Sequence, residues 1–132
     1  MRMRWLAAAL TVVIGGCGGG GSSPSNGTPP PTTPAPPPAG PTITITAAGV
    51  SPKQLEIALG SRVVFVNNDS VPHEMHSDPH PNHGDCPPID EVSAVTPGQW
   101  RQTGVFTIAR SCGYHDHGQS TNTLLQGTIV IR

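Results

Sequence analysis

The chain has 132 residues, with 16 glycines and 16 prolines, and only 11% of its residues are charged, giving a formal net charge of −1. That length leaves room for one small folded domain beside flexible segments. A near-neutral balance with no basic run argues against binding to nucleic acid or to an anionic surface by charge alone.

Residues 1 to 16 read as a targeting segment. Arg2 and Arg4 make a positive start, Leu6 to Ile14 a short apolar run, and Gly15-Gly16 a small-residue cleavage site. The apolar run is too short to span a bilayer as a mature helix. Cys17, directly after Ile-Gly-Gly, resembles the lipobox cysteine of bacterial lipoproteins. The resemblance implies export to the cell envelope and attachment to a membrane through lipid on Cys17, facing the periplasm or the surface. Several acyl chains on one residue hold far more firmly than one. Without Arg2 and Arg4 the chain keeps five basic residues against eight acidic ones, a formal charge of −3. Residues 17 to 41 continue as Gly, Ser, Pro and Thr with almost nothing apolar to bury, so they are expected to be a disordered tether, floppy at first and extended where proline dominates.

From residue 42 to 132 the pattern is that of a single all-β domain. Thr42-Ile43-Thr44-Ile45-Thr46 alternates with period two and is built from β-branched residues. Leu55 to Leu59 alternates as well, Gly60-Ser61 turns the chain, and Arg62 to Val66 makes another strand that ends at the turn residues Asn67-Asn68-Asp69. Val71 to Glu91 shows no periodicity and contains five prolines, so it is read as a long functional loop. Pro97-Gly98 marks a turn, strand-like pieces follow around Trp100 and from Val105 to Ala109, and Thr128 to Ile131 closes the chain. No window has a sustained helical period, so at most a short helix is expected. Short strands with frequent turns point to two packed sheets, a sandwich or a barrel.

All six histidines fall in two windows, His73 to His83 and His115 to His117, and Cys86 and Cys112 lie beside them. Imidazole and thiolate together suit copper and zinc. In the oxidising surroundings of an exported protein, Cys86 and Cys112 have two open fates. They pair as a disulfide, or Cys112 stays a thiolate while Cys86 is a free thiol, an extra ligand or a redox gate. His76, His80 and His83, among prolines and acids, read either as a second, exposed metal site or as solvated loop residues. His115-Asp116-His117 is reminiscent of a zinc-hydrolase ligand pair, but no third ligand and general base are evident. With no carboxylate pair, nucleophile–base arrangement or phosphate-cradling loop either, an enzyme is not expected.

Two motifs resemble the cupredoxins, the blue-copper β-sandwiches of the plastocyanin and azurin type, over residues 42 to 132. Phe65-Val66-Asn67-Asn68-Asp69-Ser70-Val71-Pro72-His73 resembles the segment that delivers their first copper histidine. Cys112-Gly113-Tyr114-His115, with Gly127-Thr128-Ile129-Val130 downstream, resembles their Cys-x-x-His ligand loop and closing strand. The resemblance implies a Greek-key β-sandwich with one mononuclear, type 1-like copper held by His73, Cys112 and His115. It also implies electron transfer to a partner protein, with storage, delivery or sequestration of copper as the alternative. The usual axial methionine is replaced by Leu125, and the longer loop offers His117 as a fourth ligand.

Overall fold

A computed structural model describes residues 33–132. Cys17, the targeting segment and the first part of the expected tether lie outside the described residues. Residues 33 to 38 have no regular secondary structure and are mostly exposed, and the indole Nε1 of Trp100 donates to the Ala35 carbonyl at 2.8 Å.

Among the described residues nine strands form two sheets: β1 (Thr42–Thr46), β2 (Gly49–Ser51), β3 (Gln54–Ile57), β4 (Val64–Asn67), β5 (His73–Ser77), β6 (Ser93–Val95), β7 (Trp100–Gln102), β8 (Ser111–Asp116) and β9 (Gly127–Ile131). The smaller sheet runs β2-β1-β4-β7 and the larger β3-β9-β8-β5-β6. The pairs β1–β4 and β3–β9 are parallel and the others antiparallel. The one α-helix among the described residues is a single turn, α1 (Pro87–Asp90). None of those residues forms a helix long and apolar enough to cross a membrane.

The alternation that marks β1 in the sequence is what buries it. Ile43 and Ile45 are fully inside, and the threonines between them are not. They join Val63, Phe65, Met75, Ile89, Val95, Tyr114 and Ile129 in one core between the sheets. At its centre the ring of Tyr114 on β8 meets Phe65 on β4 edge-to-face, with centroids 5.3 Å apart and planes at 86°. Such a pair adds about 0.5–1.5 kcal/mol beyond the apolar area it buries.

Two departures from the sequence reading matter for the site. The stretch read as an aperiodic loop contains strand β5, whose burial alternates strictly although four of its five residues are polar or charged. His73 and Ser77 occupy inward positions there, so the period was hidden by residue type. The Cys112–His115 segment, expected as a ligand loop, lies inside β8 and is continuous strand. A third departure is that Val105 to Ala109 forms no strand. Phe106 alone reaches a neighbour, donating its N–H to Ser61 and accepting from Gly60, while Ile108 is 65% exposed.

The Tyr114 hydroxyl is buried without a hydrogen-bond partner, and burial pushes its pKa far up. An unpartnered buried hydroxyl costs roughly 1–3 kcal/mol. The Tyr114→Phe variant is therefore expected to unfold at an equal or higher urea concentration than the wild type. A fall in stability of more than about 1 kcal/mol would show that the hydroxyl is satisfied.

Candidate metal centre

Strand periodicity decides which side chains of β8 meet. Neighbouring side chains in a strand alternate between faces, and directly opposed residues on paired strands share a face. Tyr114 touches Phe65, so Cys112, Tyr114 and Asp116 face the other sheet, while Gly113 and His115 face away from it. His76 on β5 stands directly opposite His115 and shares that outer face.

Cys112 and His115, three apart on one strand, therefore point in opposite directions. Cys112 is fully buried and bonded to Cys86. The expected thiolate ligand is corrected on both counts: its sulfur is in a disulfide, and its strand position turns it away from His115. Of the two fates open to Cys86 in the sequence, the structure takes the disulfide. This bond closes a loop of 26 residues and contributes about 3.5 kcal/mol by limiting the unfolded chain. It also fastens the connection between β5 and β6, residues 78 to 92, to β8.

His73 is corrected as well. It is buried on the inner side of β5, with Nδ1 2.7 Å from Asp116 Oδ2 and Nε2 3.1 Å from Asp69 Oδ2. Both ring nitrogens are taken by carboxylates, and neither is left for a metal. Asp116 thus takes the ring nitrogen of His73 that the resemblance would have given to copper or left to a backbone partner. Its other oxygen accepts from the Gly118 N–H at 3.0 Å and caps the 3-10 turn His117–Gln119. Asp69 is held below the ordinary carboxylate value by the Ser70 N–H and then by His73. Leu125, expected at the axial position, packs in the hydrophobic core.

The remaining histidines converge. His80 and His83 from the β5–β6 connection meet His115 and His117 at the end of β8, and one nitrogen from each lies within 4.8 Å of all the others. His115 is 2% exposed, and its Nδ1 donates to Asp78 Oδ1 at 2.7 Å. Its Nε2 is buried and has no hydrogen-bond partner. A carboxylate on one nitrogen that leaves the other as a lone-pair donor is the usual outer support of a metal-bound histidine. Gly113 makes this contact possible, since any Cβ there would collide with the Asp78 carboxylate.

His83 is fixed with similar care. Its Nδ1 donates to the Ser77 carbonyl at 3.1 Å, and its Nε2 shares a 2.8 Å hydrogen bond with His117 Nδ1. Its backbone sits at φ 47°, in the left-handed region that non-glycine residues rarely occupy. Strain of this kind persists where surrounding contacts impose it, and it gathers at functional sites. His80 forms the exposed side of the group. Desolvation by the neighbouring rings, then the positive charge of protonated His117, His115 and His83, lowers its pKa from the ordinary 6.5. It keeps a free lone pair to lower pH than a solvated histidine would.

The three loop histidines expected as a second site are thus divided. His80 and His83 join His115 and His117, whereas His76 groups with His83 and Asp90. The sequence signal for the four-histidine set is the i, i+2 spacing of His115, the last odd position of β8, and His117, which opens the 3-10 turn after it. Nothing in the sequence says that the connection folds back to bring His80 and His83 to them.

No family model matches the chain, and neither does any curated protein. Solved structures do resemble it. A purple cupredoxin from Nitrosopumilus maritimus superposes with a TM-score of 0.53 at 23% identity, over 70% of this chain and all of that one. A reduced Cu(I) form of an amicyanin variant at pH 4 superposes with a TM-score of 0.54 at 17% identity, over 73% of this chain and 85% of its own. An oxidised amicyanin variant gives 0.52 at 20% identity, over 70% and 81%. The domain has the cupredoxin fold. On this cupredoxin scaffold four of the six histidines are gathered around His115, on the outer side of the larger sheet, and the Cys112 sulfur is spent in a structural bond.

The disulfide makes a direct prediction for the full chain carrying Cys17→Ser. Denatured without reductant, it is expected to show no titratable thiol, and after reduction it should show two. One or two thiols before reduction would restore Cys112 as a candidate ligand.

Proposed function

We propose that this chain is an exported, membrane-tethered copper-binding protein whose ion is held by His80, His83, His115 and His117. The observation that carries the reading is the buried, unpartnered Nε2 of His115 within the four-histidine group. A lone pair withdrawn from water costs free energy unless something occupies it. Imidazole nitrogens suit copper, zinc, nickel and iron, and copper heads the affinity order of divalent first-row ions for such donors. The cupredoxin fold and neighbours described as Cu(I) and oxidised forms favour copper in the same direction.

When bound, the metal would supply a redox-active or Lewis-acidic cation at this rim. The chain's own residues supply the rest. Asp78 fixes the ring and tautomer of His115, the Ser77 carbonyl does so for His83, and the Asp116 cap sets the turn that carries His117. Without a thiolate the intense colour of a type 1 site is not expected, and the role supported best is copper handling: capture, storage or delivery. Electron transfer is the second reading, favoured by the fold, and it needs a redox partner protein that meets the exposed His80 edge. Lipid on Cys17 would anchor the chain in the envelope, and residues 18 to 41 would give the domain reach. Catalysis is not part of this proposal.

Copper titration of the full chain tests it. One tight equivalent is expected at the four histidines, without a strong thiolate charge-transfer band. His115→Ala should abolish tight binding. Asp78→Asn should weaken it by roughly 10–100-fold through loss of outer support. Acidification from about pH 7 to about pH 5 should release the ion, because imidazole ligates only as the free base. Full affinity in His115→Ala would reject the site.

A further inference from the structure

A second cation seat adjoins the first. His76 lies on the outer face of β5 beside His115, and its Nε2 is 3.1 Å from Glu74 Oε1. On its other side, Nδ1 of His76 lies 3.3 Å from Asp90 Oδ1. This contact is longer and less buried than the 2.7 Å one that closes His73 onto Asp116, and a cation that displaces the proton between nitrogen and carboxylate would take both as ligands. Asp90 is not a loose surface carboxylate. It accepts the Ser77 N–H at 2.8 Å on Oδ1 and the Ser77 hydroxyl at 3.0 Å on Oδ2. The ring of His83 lies 4.5 Å from that of His76, and ligand atoms of His76, His83 and Asp90 fall within 4.8 Å of one another.

We infer that the histidine cluster holds two metal ions, one on His80, His115 and His117 and a second on His76, His83 and Asp90. The inference rests on the four-histidine reading above and divides that group when both ions are bound. His83 then serves the second ion, while the first keeps three imidazoles. Charge favours the arrangement. Asp90 touches the second seat, Asp78 stands behind His115 and Glu74 behind His76, so three carboxylates offset two cations placed side by side. The second seat has a harder, mixed donor set, and His76 and Asp90 are each about one-fifth exposed at the side chain. It should therefore fill after the first and accept Zn²⁺ as well as copper.

The test is metal content by elemental analysis and equilibrium titration of the full chain, first with Cu(I) under ascorbate and then with Zn²⁺. Two equivalents per chain are expected, the second weaker by tenfold or more. His76→Ala and Asp90→Asn should each bind one equivalent, with the tighter affinity kept within about threefold. His76→Ala guards against misfolding, since Asp90 also anchors Ser77. One equivalent in the wild type, or two in His76→Ala, overturns the second seat and leaves the four-histidine site intact. No equivalents in the wild type, or tight binding unchanged in His115→Ala, overturns the four-histidine reading itself.

Discussion

The bond between Cys86 and Cys112 fixes the arrangement on which the site depends. It joins the start of β8 to a connection of some fifteen residues that has only one turn of helix of its own. That connection carries His80 and His83, and the strand carries His115 and leads into His117. A flexible loop of this length would otherwise spend little time with both imidazoles beside β8, because ordering each residue costs on the order of 1–2 kcal/mol. The disulfide removes part of that cost in advance, and the Ser77, Asp78 and Asp85–Arg110 contacts remove more. In an oxidising compartment the bond is stable, which fits the export proposed above.

The same strand explains why a cupredoxin fold is used here without a thiolate. β8 is continuous from Ser111 to Asp116, so its side chains are sorted strictly by parity. Even positions enter the core, where Cys112 is bonded, Tyr114 packs on Phe65 and Asp116 receives His73. Odd positions face the connection, where Gly113 leaves space for Asp78 and His115 offers its free nitrogen. The His73–Asp116–Asp69 group is then a closed polar cluster that braces the rim from within, and the proposed metal seat lies on the opposite face.

Much of this was legible in the sequence. The β-branched alternation of β1, the turn at Asn67–Asp69 and the β-branched closing strand gave the two-sheet fold directly. The histidine clustering gave the chemistry, and His115 and His117 stood at strand spacing. What could not be read was parity and pairing. Cys-x-x-His has the same letters in a turn, where both residues reach one ion, and in a strand, where they diverge. Strand β5 was missed because its buried positions include His73 and Ser77, which hydropathy counts as outward. The convergence of His80 and His83 on β8 is a tertiary fact, set by a disulfide whose partners the sequence left open.

The claim that the ion is held by imidazoles alone is tested most directly by X-ray absorption at the copper edge of the loaded full chain. The account predicts only nitrogen or oxygen neighbours, at about 2.0 Å by analogy with zinc–imidazole bonds, with the outer-shell pattern of several imidazoles. A sulfur neighbour at about 2.3 Å would contradict it, since it would mean that the Cys86–Cys112 bond opens to give the metal a thiolate.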